Sequence, residues 1–295
     1  MDRLILFDDK KNTLISWLMI ALWISVFVVV ITFVVGTFLP YGVDWHEAFR
    51  PAALALLSAR SPYDIDKFYN PPWGLLPLLP LALLPENLGR GLLFAISLLS
   101  FAIVAHRLKA SPPALLVFLL SPPVLHGLLN ANIDWLAVLG FVLPPQIGLP
   151  FIMIKPQIGI GVAVFWLVEA WRDGGFRQVA KISWPTLLLG AASLALFGLW
   201  PFRSLQITDY SRNFNASLWP VSIPVGLAFL AASVYKRDHR YAMASSPCLS
   251  PHVVFHSYAG SLAALLPTTR WMMVAVIALW ILVILGIVDV LDVSS

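Results

Sequence analysis

Long apolar runs separated by short polar stretches make up most of this chain. The first, about residues 13–37, exceeds the ~20 apolar residues needed to cross a bilayer. Runs at about 88–106, 112–128, 131–144, 182–200, 221–235, 246–266 and 270–290 predict seven more spans, several containing proline. Residues 146–171 depart from this pattern. Two short apolar pieces, Ile147–Ile154 and Ile158–Trp171, flank Lys155-Pro156-Gln157. They predict an inverted V with its apex in or near the outer half of the membrane. Non-helical backbone at that depth requires surrounding protein or a water-filled cavity. The Ser-Pro-Pro triplets at 111 and 121 read as a helix start and a helix break. The expected architecture is an all-α polytopic transmembrane protein, one transmembrane domain over 1–295. It has about eight full spans plus broken or re-entrant half-helices.

The polar stretch after the first span, residues 38–87, concentrates the chemistry outside the membrane. From Asp44 onward, Trp45, Phe49, Ala52, Ala53 and Leu56 recur at helical spacing. Asp44 is placed as N-cap, with Glu47 three residues later completing a capping-box pattern. Such a helix would lie in the membrane interface with Trp45 at headgroup depth. The chain then turns at Ser61-Pro62, with Asp64 and Asp66 in the turn, and reaches Tyr69-Asn-Pro-Pro-Trp73. Gly74–Pro85, interrupted by Pro77 and Pro80, is too broken for a span and predicts a re-entrant or interfacial piece.

Composition confirms the class: 59% hydrophobic, 12% charged, mean hydropathy +0.84, well outside the soluble range. The net charge of +4 does not point to nucleic acid, because the basic residues are scattered at span ends. A single cysteine, Cys248, excludes an intramolecular disulfide. Four basic clusters orient the chain: Arg3/Lys10/Lys11, Arg107/Lys109, Arg172/Arg177/Lys181 and Lys236/Arg237/Arg240. Alternating spans put all four on one side, cytoplasmic by the positive-inside rule, along with the N-terminus. The expected location is a multi-pass position in the cell membrane.

Each polar candidate carries two readings. Asp44 either caps its helix or presents a carboxylate at the membrane edge. Lys155, at membrane depth, is functional by default, the alternative being a side chain that snorkels to the interface. Asp134, beside Asn130 and Asn132, lines an outer cavity or caps a helix. His252 and His256 stand at i,i+4, a spacing that a metal could use, but a third ligand is missing. His46 and His126 read as packing or interfacial residues. Asn215-Ala-Ser217 has the form of a glycosylation sequon.

The order of these elements resembles glycosyltransferase family 87, polytopic membrane enzymes of the GT-C type. The shared features are an N-terminal span, an acidic residue in the first outer loop, Ser61-Pro-Tyr-Asp64, and Tyr69-Asn-Pro-Pro72 before a proline-rich apolar run. Ser121-Pro-Pro-Val124 leading to Asn130-Ala-Asn132, Ile154-Lys-Pro-Gln157 and Ser250-Pro-His252 extend the likeness to about residue 266. Asn-Ala-Asn stands where the family carries a Gly-Gln element, and the 201–220 loop is short.

The resemblance implies transfer of a sugar, mannose in the first instance, from a polyprenyl-phosphate donor to a glycan or glycolipid acceptor. It implies Asp44 as general base, and Lys155, with Arg203 or Arg212, as cations for the donor phosphate. His252, His256, Asn130, Asn132 and Asp134 would line the cavity. The scheme requires no metal and no cofactor. Two other classes stay open: a lipid-linked sugar transporter or flippase, and a non-catalytic membrane subunit or degenerate family member; partner membrane subunits are a further expectation.

Overall fold

The computed structural model describes residues 2–39, 41–206 and 214–286, with side chains from Trp17 onward. Among the described residues there are fourteen α-helices and no strand, which makes the fold all-α. In chain order these are α1 (Asp2–Phe38), α2 (Arg50–Leu57), α3 (Leu79–Ala82), α4 (Glu86–Arg107), α5 (Pro112–Leu119), α6 (Pro122–Leu129) and α7 (Asp134–Gly140). They continue with α8 (Pro145–Ile152), α9 (Pro156–Phe197), α10 (Trp200–Leu205), α11 (Ile223–Lys236), α12 (His239–Ser245), α13 (Ala259–Ala263) and α14 (Thr269–Ile284).

Three of these elements are long and apolar enough to span a membrane: Trp17–Phe38 within α1, all of α4, and α9. The α5–α6 pair, bent by 50°, makes a fourth if it counts as one span. Ser121-Pro-Pro marks that bend, and Ser111 accepts a bond from the Ala114 amide to start α5, as the two triplets predicted. The expectation of eight full spans is corrected. The 131–144 run contains only the seven-residue α7. The 246–266 run is short helical turns and extended chain. Helices α11 and α14, with 14 and 16 residues, fall short of a plain crossing. Summed hydropathy cannot register backbone breaks, and Pro144-Pro145, Pro247 and Pro251 interrupt these runs.

Helix α9 is formally 42 residues, which as a straight rod would separate its ends by ~63 Å. Its two ends nevertheless reach adjacent residues. Asn70 Nδ2 donates to the Ile154 carbonyl at 3.3 Å, just before the helix, and Ser204 Oγ bonds to the Tyr69 carbonyl, just after it. The helix therefore doubles back, and it does so at Gly174–Gly175. Gly175 has φ +58°, in the left-handed region where glycine carries no Cβ penalty.

This geometry defines two ends of the molecule. One carries the 41–73 loop, the start of α4 and both ends of α9; we call it the loop face. Glu86 there receives His46 and Arg50, and Arg90 Nη1 donates to the Leu39 carbonyl at 3.1 Å, closing the C-terminus of α1. The other end lies ~27 Å away along Pro156–Asp173 and is basic. The third and fourth basic clusters meet there. Arg172 Nη1 donates to the Val234 carbonyl at 2.8 Å, and Arg237 pairs with Glu169 and Asp173. This meeting agrees with their placement on one side; the side chains of Arg3, Lys10 and Lys11 are not among those described.

The placement of Trp45 at headgroup depth is corrected. A π-helical turn, Trp45–Phe49, runs straight into α2, and Trp45, Ala52 and Ala53 are wholly buried. They pack into the main core with Leu75, Leu78 and Ala82 of the proline-rich segment. That segment, Pro72–Ala82, is helical and docked against α2. The apolar stripe is present, but it faces protein.

Candidate functional site

Two short helices build the floor of the site. α7 runs in from Asp134 and α8 returns to Ile152, each only ~10–12 Å long, so together they form a short helical hairpin. Gly140 and Gly148 allow the two arms to touch; a Cβ on Gly148 would sit 2.5 Å from the Gly140 carbonyl oxygen. Lys155 follows the hairpin at the turn into α9, where Pro156 begins a new helix because it needs no amide donor there. This is the V predicted around Lys155-Pro156-Gln157. Its first arm, α8, is only ~12 Å long and stops short of the basic end.

The mouth of the hairpin is held by charge. Lys155 Nζ lies 2.5 Å from Asp134 Oδ1, with side chains only 6% and 3% exposed. The other Asp134 oxygen, Oδ2, bonds His256 Nδ1. Lys155 also donates to Asn132 Oδ1 at 2.5 Å, and the Ile133 amide donates to the same oxygen at 2.6 Å. With its oxygen fixed by two donors, the Asn132 amide must present its NH₂ the other way. Nδ2 donates to Asp44 Oδ2 at 2.5 Å and lies 3.4 Å from His256 Nε2. Asp44, Asn132, Lys155, Asp134 and His256 thus form one connected network, far apart in sequence. Four of the five are buried, and Asp44 is half-buried at the rim.

The N-cap role of Asp44 is corrected. Its backbone is helical (φ −66°, ψ −36°) and its side chain caps nothing. Its own amide donates to the Asn130 carbonyl at 3.1 Å, so main chain and side chain both dock on the 130–132 turn. Glu47 pairs with Lys67 rather than closing a capping box. Asn130 is a structural neighbour: its side chain donates to the His126 carbonyl at 3.0 Å.

His252 is buried beside the network. It does not share a helix face with His256: Ser250–Val254 is non-helical and the turn holding His256 begins at Phe255. The 250–254 strip is anchored by Asn215, whose Oδ1 accepts from the Val253 amide and whose Nδ2 donates to the Pro251 carbonyl. The Asn215 side chain therefore has a structural role within the sequon. Among the described residues no three His, Cys, Asp or Glu side chains cluster to hold a metal.

Arg203 lies on the same face but outside the network. It is 3.5 Å from Asp66 and sits over the Tyr69 ring at 5.8 Å. Tyr63, Trp73 and Trp200 join it in an aromatic cluster that clasps the 61–73 loop to α10. Arg212 lies outside the described residues.

Sequence reasoning missed the residues that bring Asp44 to Asn132. A Cβ on Gly42 would fall 2.6 Å from the Ala131 Cβ and 3.0 Å from the Asn130 carbonyl oxygen, so only glycine lets this segment approach the turn. Asn70 and Trp73 hold the loop over the hairpin through the Ile154 and Pro150 carbonyls. A glycine two positions before the candidate carboxylate was the one signal available. No family model, no curated protein and no solved structure matches this chain.

Proposed function

We propose that this chain is a membrane glycosyltransferase that moves a sugar, with mannose the first candidate, from a polyprenyl-phosphate donor to an acceptor hydroxyl. The observation that carries this reading is the position of Asp44: a carboxylate at the rim, oriented by a buried network through one oxygen only. Asn132 holds Oδ2, which leaves Oδ1 to take the acceptor proton. The acceptor oxygen then attacks the anomeric carbon, the bond from that carbon to the phosphate oxygen breaks, and polyprenyl phosphate leaves with inversion. Positioned proton transfer of this kind is worth about 10²–10⁴-fold.

Within this reading the cations divide their work. The charge of Lys155 is already offset by Asp134, so Lys155 acts as a positioning residue that locks Asn132. Arg203, on the open rim, is the better partner for the donor phosphate. The chain would sit in the cell membrane with its loop face outward and its basic end and N-terminus in the cytoplasm.

The test is transfer of labelled sugar from polyprenyl-phosphate mannose in membranes expressing the chain, beside Asp44→Asn at equal expression. Transfer by the wild type with a loss of at least a hundredfold in the variant is expected. No transfer to any acceptor in a panel would overturn the reading. A second reading, a carrier for lipid-linked sugars, is favoured by the buried Lys155–Asp134–His256 chain, since ionisable groups between membrane helices often mark transport pathways. Sugar movement across vesicles without covalent transfer would select it.

A further inference from the structure

The basic end carries more cations than its own carboxylates can hold. Glu169 takes Arg172 and Arg237, Asp173 takes Arg237 again, and Asp238 takes Arg240. Lys236 bonds the Tyr241 hydroxyl. Arg177 and Lys181 remain, both exposed, with no carboxylate among the described residues paired to either. They stand just after the Gly174–Gly175 break, at the start of the returning arm of α9.

The same helix face continues beyond these two cations. Arg177, Lys181, Trp184 and Leu188 fall at i, i+4, i+7 and i+11, one continuous stripe. Trp184 is 58% and Leu188 59% exposed, so no described residue covers that stripe. Along ~16 Å of helix the exposed chemistry changes from cations, through an amphipathic aromatic ring, to a branched alkyl chain. That sequence matches a phospholipid read from headgroup to acyl chain, over about half of the ~30 Å hydrocarbon core.

We infer that the 177–188 face of α9 holds an anionic phospholipid, with Arg177 and Lys181 on its phosphate and Trp184 and Leu188 along its upper acyl chain. A zwitterionic lipid supplies the same acyl contact without the net charge, so charge sets the selectivity. The inference rests on the membrane setting and stands whether or not the loop face transfers sugar.

The test is native mass spectrometry of the full chain in detergent, offered equimolar phosphatidylglycerol and phosphatidylcholine. The wild type should retain phosphatidylglycerol preferentially. Arg177→Gln with Lys181→Gln should reduce that preference by about fivefold per charge removed. Arg107→Gln with Lys109→Gln, a charge-matched pair from another basic cluster, should leave it intact. Equal retention of the two lipids by the wild type, or equal loss in both double variants, would overturn the site. Raising the ammonium acetate concentration on the wild type gives a check that needs no variant. The preference should fall with salt, and a preference insensitive to salt would contradict the charge-based selectivity.

Discussion

Two ion pairs of the same length, at opposite ends of the molecule, have different consequences. Lys155–Asp134 on the loop face and Arg237–Glu169 at the basic end both close at 2.5 Å. The first pair is 6% and 3% exposed, the second 59% and 16%. In water, much of what an ion pair gains is offset by lost hydration and side-chain entropy, so exposed pairs contribute little. In a buried site the same geometry is obligatory, because neither charge has water to fall back on. Distance alone therefore says little here; burial determines which pair the fold depends on. The loop face is built around one connected network running from Asp44 through Asn132 and Lys155 to Asp134 and His256, whereas the basic end is a set of separable surface contacts.

This contrast can be broken first at its strong end. Asp134→Leu leaves Lys155 charged and unpaired and takes the partner from His256, and should cost about 3–5 kcal/mol in unfolding. Thermal unfolding in detergent measures it, and a shift no larger than that of a surface substitution would remove the contrast. Gly42→Ala comes next. Its new methyl group meets Ala131, forcing the segment before Asp44 away from the 130–132 turn. It should cost about 1–3 kcal/mol in unfolding, and, on the proposed glycosyltransferase reading, abolish most of the transfer that Asp44 supports.

The remaining predictions fall at the basic end. Asp238 caps α12 and accepts from Arg240, and those bonds hold its carboxyl below the usual range. A depressed carboxylate contributes stability above its unfolded pKa and loses it as pH falls through the folded one. Asp238→Ala should therefore cost about 1 kcal/mol at neutral pH, and the difference should shrink below about pH 4. An unchanged difference at acid pH would assign the effect to packing. Smallest of all, Arg237→Gln should leave the unfolding midpoint unchanged.

The same contrast explains what could be read in the sequence. The break at Lys155-Pro156-Gln157 was legible because proline at a first helical position announces a new start regardless of tertiary context. The α5–α6 bend was legible for the same reason. The number of spans was not. Runs such as 131–144 and 246–266 have membrane-like composition, yet they fold as short helices and irregular pieces packed in protein. Hydropathy adds up side chains and cannot see where the backbone turns. The helical stripe on Trp45, Phe49, Ala52 and Ala53 was real, but periodicity reports that a face is buried and not whether lipid or protein buries it.

At the site, the candidate residues were singled out by type, while their connectivity was invisible. Asp44 and Asn132 are 88 positions apart, and Asp134 and His256 are 122 apart. Only the folded α7–α8 hairpin places Asp134 and Lys155 at one mouth. Gly42 was overlooked because the need for glycine there arises from the Asn130–Ala131 turn, which nothing local foretells.

The claim that the loop face works as one interlocked unit is tested most directly by a double-mutant cycle on its central pair. Unfolding would be measured for Lys155→Met, Asp134→Leu and the two together. Asp134→Leu strands the Lys155 charge, and Lys155→Met leaves Asp134 with His256 as its one remaining partner in the network, so both should be destabilising, while the double variant, free of either charge, should recover most of the loss. Additive losses, with the double variant the least stable of the three, would mean that the two residues act independently and would contradict the account.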